Sequence, residues 1–130
     1  MSQELVEKVR RSLDAWNRGD FEGCVEAAHP EIEWISEIAQ RMSGDETVYR
    51  GLAGMRRYWD EWHALWDVFI DVTETLDRGD TVIALATVKA HGEASGIDVE
   101  RPIAYVFEFE DGLARRVRSY FDQQEALDAV

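Results

Sequence analysis

Three short clusters of turn-forming residues, Asp77-Arg78-Gly79-Asp80, Ser95-Gly96 and Asp111-Gly112, cut the second half of this chain into runs that alternate apolar with polar. Glycine and aspartate tolerate the backbone angles that tight hairpins need. The spacing therefore predicts strands near 68–77, 81–94, 97–110 and 113–122, each antiparallel to the next. The first half reads differently. Leu5, Val6, Val9, Leu13 and Trp16 recur at helical spacing, and Asn17-Arg18-Gly19-Asp20 supplies a stop and a new cap for a short helix from about Phe21 to Ala28. His29-Pro30 ends it, Glu31 to Ile35 alternates as a first strand does, and the polar stretch Ser36 to Arg50 reads as loop. A third helix from Gly51 carries Leu52, Met55, Trp59, Trp62 or His63, and Trp66 on one side, with Trp59 and Trp66 expected to face inward. After the last strand Asp122 is placed to cap a short final helix. Helices followed by an antiparallel meander predict an α+β domain with the helices packed on one face of a curved sheet.

The chain has 130 residues and its only prolines are Pro30 and Pro102, so a single domain over residues 1–130 is expected. With 27 acidic against 14 basic residues the formal net charge is −13, which repels phosphate backbones and anionic lipid. Neither nucleic acid nor a membrane is an expected partner. The longest uncharged, mostly apolar run, Thr81 to Val88, is far shorter than the roughly 20 residues of a membrane-spanning helix. Cys24 has no partner in the chain and the first residues form no apolar signal core, so a reducing cytoplasm is the expected location.

If Asp111-Gly112 is a two-residue turn and the ladder is unbroken, Glu110 opposes Leu113, Phe107 opposes Arg116, Tyr105 opposes Arg118 and Ile103 opposes Tyr120. One face then holds Ile103, Tyr105, Phe107 and Phe109 with Arg118, Tyr120 and Asp122, and its rings mark it as the helix-covered side. The other face carries an apolar stripe of Val106, Leu113, Val117 and Phe121, from which a homodimer through the back of the sheet is expected. A bulge near Pro102 leaves the facing of Arg101 open; His91 reads as a surface residue opposite Glu100.

The order of Trp16-Asn17-Arg18-Gly19-Asp20-Phe21, His29-Pro30-Glu31-Ile32-Glu33-Trp34 and Tyr49-Arg50-Gly51 resembles the SnoaL-like branch of the nuclear transport factor 2-like superfamily. The ending, Glu110-Asp111-Gly112-Leu113 before Arg118-Ser119-Tyr120-Phe121-Asp122 and Glu125-Ala126-Leu127, is similar to that branch's strand, turn, strand and helix close. The resemblance implies a cone in which a bent sheet wraps around helices, a pocket at the open end, and frequent homodimers. The superfamily includes ketosteroid isomerase, scytalone dehydratase, limonene epoxide hydrolase, polyketide cyclases and pockets with no known reaction, so the fold alone leaves function open.

In a concave apolar pocket a partly desolvated carboxylate runs acid/base chemistry without a cofactor, because burial raises its pKa toward the working pH. Asp122 stands where the resemblance places a SnoaL-like cyclase's catalytic aspartate, and the register above sets it beside Tyr120 and Arg118. The competing reading is a plain helix cap. Arg118 needs an anion if it faces a core, either a structural carboxylate or a ligand. Tyr105 and Tyr120 are oxyanion donors or simply buried tyrosines, and His63 serves as a base if it points into the cone. His29, His63 and His91 match no metal-ligand spacing, so neither a metal nor a cofactor is expected. Five Trp, four Tyr and five Phe exceed what a small core needs, so some rings line a cavity; Trp16, Trp34, Tyr49, Trp59, Trp62, Tyr105 and Phe107 are the expected lining. The function expected is cofactor-independent isomerase, dehydratase or cyclase-like chemistry on a hydrophobic or aromatic metabolite. The alternatives are non-catalytic binding of a small hydrophobic ligand in the same pocket, or a dimerisation module without ligand.

Overall fold

The computed structural model describes residues 2–37, 40, 48–92 and 94–130. The amphipathic helix α1 (Ser2–Arg18) buries Val9, Leu13 and Trp16 and stops at Gly19, whose φ of +73° suits glycine. Asp20 then caps α2 (Phe21–Cys24) by accepting from Gly23 N at 3.0 Å. This helix ends four residues earlier than predicted because the chain is already drawn into the sheet: Ala114 N donates to Ala27 O at 2.7 Å, and β1 (Ala28–Ser36) begins there. Pro30 sits inside β1, in the interval between Ala28 and Glu33 where the ladder to the neighbouring strand is interrupted, so its missing N–H costs no ladder bond.

The stretch expected to be loop contains a three-residue strand, β2 (Val48–Arg50), too short to show a period in sequence; its Tyr49 pairs with Trp34 and is buried. Most of the rest of that stretch lies outside the described residues. Helix α3 (Gly51–Leu65) leads directly into β3 (Trp66–Arg78), followed by β4 (Thr81–Gly92), β5 (Asp98–Glu110), β6 (Leu113–Tyr120) and the short α4 (Gln123–Asp128). The six strands form one curved sheet in the order β2-β1-β6-β5-β4-β3. The meander from β3 to β6 is antiparallel as predicted, but β1 joins its end by pairing parallel with β6. At the opposite edge the Asn17 side chain behaves as a strand neighbour, donating to Ile70 O and accepting from Ile70 N, both at 2.8 Å, which fastens α1 to β3. Among the described residues no helix is long and apolar enough to cross a membrane.

The β5–β6 register differs from the one expected. Asp111 and Gly112 both have positive φ, 53° and 78°, and Glu110 opposes Leu113, as a two-residue turn requires. Between Glu108 and Phe109, however, the ladder shifts: Phe109 pairs with Ala114 and Glu108 with Arg116, leaving Arg115 as the extra residue of a bulge. Phe107 therefore opposes Val117, Tyr105 opposes Ser119, and Tyr120 opposes Ala104. A one-residue slip turns every later side chain of β6 over. The physical gain is plain, since Val117 becomes fully buried while Arg118, which the unbroken register would have placed in the core, is exposed.

The same slip removes the apolar stripe from which a homodimer was expected. Val117 and Phe121 turn inward, while Val106 lies in a second apolar cluster with Ile83, Ala104 and Tyr120 beneath Ala126 of α4. Helices thus cover both faces of the sheet, α1 and α3 on the inner side and α4 on the outer. At Pro102 the β4–β5 ladder runs unbroken from Glu108 to Asp98, and β6 pairing ends at Ala104, so the proline meets a strand on one side only. Arg101 stays in phase with Ile103 and Tyr105 on the inner face, and His91 opposes Asp98, accepting or donating through Nδ1 at 2.6 Å, instead of Glu100.

Candidate functional site

Under the inner face lies a cavity of about 250 Å³. Period-two alternation builds its sheet wall: Trp66, Val68 and Ile70 from β3, Val88 and Ala90 from β4, and Val99, Arg101 and Tyr105 from β5. Gly92 pairs with Trp66, and a Cβ there would stand 3.3 Å from Trp66 Cζ3 and 2.4 Å from Ser95 Oγ, so a larger residue would crowd the ring and turn the Ser95 hydroxyl away. The helical wall comes from Leu13 and Trp16 of α1 and from Tyr58 and Trp62, four residues apart on α3; Trp34 of β1 and Phe121 just beyond β6 complete it.

The polar groups in this lining are few. Ser12 donates its hydroxyl to Cys24 O at 2.7 Å and is satisfied. Burial pushes the Cys24 thiol up to about 11 and, with Ser36 and Trp34 pulling partly the other way, the Tyr58 hydroxyl up to about 12. Burial also raises Tyr105 well above the ordinary tyrosine range. At neutral pH all three keep their protons, so they are donors and not bases. Trp16 and Trp34 each bury an indole N–H that has no hydrogen-bond partner among the described residues; that of Trp34 is near enough to the Tyr58 hydroxyl to affect its titration. Arg101 is the only charged residue among the described residues of the lining. Among the described residues no three His, Cys, Asp or Glu side chains group where they could hold a metal ion.

Of the residues expected to line the pocket, Trp16, Trp34, Trp62 and Tyr105 do so; the other three are corrected to core positions. Trp59 is packed edge-on between Trp16 at 4.9 Å and Phe21 at 5.5 Å, Tyr49 donates to Glu61 Oε1 at 2.7 Å, and Phe107 lies behind Trp34 at 6.4 Å. The group expected to carry chemistry is not assembled in the cavity. Asp122 is exposed and caps α4, accepting from Gln124 N at 2.9 Å and Glu125 N at 3.3 Å; such a cap is worth about 1 kcal/mol. The bulge carries Tyr120 and Arg118 to the outer face, with the guanidinium 5.9 Å from the Tyr120 ring. His63 stacks on Trp59 at 4.2 Å and, since a carbonyl only accepts, donates from Nδ1 to Trp59 O at 2.9 Å, outside the lining. Ser12, Cys24, Arg101 and Phe121 were missed; the signal for Arg101 was its even spacing from Ile103 and Tyr105.

A model of the SnoaL-like domain matches residues 9–117, most of the chain. The chain belongs to the SnoaL-like family. Solved structures agree in fold. A nuclear transport factor 2-like protein of unknown function from Burkholderia pseudomallei superposes with a TM-score of 0.83 at 21% identity, covering 98% of this chain and 97% of its own. TerC, co-crystallised with polyporic acid, gives 0.81 at 20% identity and covers 96% of each chain. A protein with the ketosteroid isomerase-like fold from Catenulispora acidiphila, in complex with trimethylamine, gives 0.77 at 14% identity over 89% of this chain and 85% of that one. No curated protein matches the chain significantly. At these identities the shared SnoaL-like fold is what the likeness establishes, and the chemistry has to be argued from this chain's own cavity.

Proposed function

We propose that this SnoaL-like domain binds a small, flat, hydrophobic molecule in the cavity between α1, α3 and the inner face of the sheet. The observation that carries the reading is the wall itself: rings of Trp16, Trp34, Trp62, Trp66 and Tyr105 surround a space too small for a large ligand. Drug-sized ligands occupy roughly 300–1,000 Å³, so about 250 Å³ fits one or two fused rings and not a four-ring skeleton. The fold neighbours are compatible with small-molecule binding, one co-crystallised with polyporic acid and another complexed with trimethylamine.

Binding is favoured over proton-transfer chemistry because the described lining residues include neither a carboxylate nor an imidazole. The protonated Tyr105 hydroxyl and the Tyr58 hydroxyl suit holding a carbonyl or ether oxygen of the bound molecule. Titrating the protein with the neutral probe 2-naphthamide while following tryptophan emission tests this. The expected result is saturable one-to-one quenching that weakens at least tenfold in Ala90→Phe, whose added ring occupies the cavity, with little change in melting temperature. Quenching that never saturates, or equal affinity in a folded Ala90→Phe, contradicts the reading.

A further inference from the structure

The charge at the cavity's rim bears on which molecules of this class are taken. Arg101 projects from β5 on the same face as Ile103 and Tyr105, and it is exposed while the side chains further along that face are buried. Its guanidinium lies 4.2 Å from the centroid of Phe121, which also lines the cavity. Phe121 is itself held from behind, its N–H donating to Glu37 Oε2 at 3.1 Å. No carboxylate among the described residues forms an ion pair with Arg101; Arg10, Arg11, Arg78, Arg115 and Arg118 share that lack, but of these arginines Arg101 alone lines the cavity. What sets Arg101 apart is its place: it is the one charged group among the described lining of an apolar cavity, in a chain of net charge −13.

Resting on the reading above, we propose that the ligand is an aromatic carboxylate, its rings in the cavity and its anionic end at the rim on Arg101. A planar guanidinium presents paired donors that match a carboxylate, and the Phe121 face limits the orientations open to it, so less freedom is lost when the anion docks. Tyr105 stands four residues further along the same face, roughly 13 Å at strand rise, which leaves the stretch past Val88 for the rings.

The test compares 2-naphthoate with its neutral isostere 2-naphthamide by calorimetric titration of the full chain and of Arg101→Gln. The parent should bind naphthoate at least tenfold more tightly than naphthamide, and added salt should narrow that gap. Arg101→Gln should lower naphthoate affinity about tenfold and leave naphthamide affinity unchanged. Equal affinity for both probes in the parent overturns the anion proposal while leaving the cavity as a binding site. An equal loss for both probes in Arg101→Gln also overturns it, because the arginine then acts only through packing of its stem on Phe121. Binding of neither probe overturns the proposal together with the reading beneath it.

Discussion

Val117→Glu should leave the protein unfolded at room temperature, whereas Arg118→Glu, one residue further on, should change stability by no more than about 0.5 kcal/mol. Val117 lies on an interior strand of the sheet, is fully buried, and pairs with Phe107 on one side and Trp34 on the other. A carboxylate there has no cation to meet and costs several kcal/mol, a large part of the roughly 5–15 kcal/mol that holds a domain together. Arg118 is exposed and its ring contact with Tyr120 is distant. Circular dichroism and urea melts of the two variants read the β5–β6 register directly. If Val117→Glu folds and Arg118→Glu does not, the bulge at Arg115 is absent and the unbroken ladder is correct.

Raising the pH should unfold the protein between about pH 10 and 12. Tyr58 titrates near 12 in the folded chain against about 10 when exposed. Below pH 10 both states hold the proton and the full stability is present; above it the unfolded chain ionises while the folded one does not, so stability falls as pH rises toward the folded value. At about 1.4 kcal/mol per pKa unit, and with the folded Tyr58 itself half-ionised at pH 12, Tyr58 alone removes about 2 kcal/mol by that pH. Tyr105, buried alongside it and raised further, adds a loss of the same sign, and Cys24, pushed up to about 11, begins the decline near pH 9. Urea midpoints across this range should stay level to about pH 9 and then fall steeply, with a shallower fall in Tyr58→Phe. Ionisation of all four tyrosines in a chain that remains folded would show that Tyr58 and Tyr105 are not shielded as described.

The turn clusters made the meander legible, because glycine and aspartate at a hairpin have few other uses, and the α1 stripe and the Asp122 cap followed from local rules in the same way. What escaped was non-local. The bulge at Arg115 brings Val117 into the core and turns Arg118 out, and no period within β6 announces it. The parallel joining of β1 to β6 links residues some eighty positions apart, and β2 is too short to carry a pattern. The candidate site inherits those misses. Trp16, Trp34, Trp62 and Tyr105 line the cavity, in keeping with an aromatic excess that is itself a compositional signal. Sorting lining from core required knowing which side of α3 faces the cavity: Tyr58 and Trp62 look into it, whereas Trp59 is used up between Trp16 and Phe21. Asp122, Tyr120 and Arg118 were grouped by a register that the bulge overturns, and Arg101 was left open by a bulge at Pro102 that does not occur.

The cavity as the ligand site is most directly tested by a crystal structure of the chain at saturating 2-naphthamide. The account predicts planar density in the space between Trp16, Trp62 and Val88, with the tryptophan side chains near their positions here. Density for the probe only elsewhere on the molecule, with the cavity closed by collapsed side chains, would contradict it.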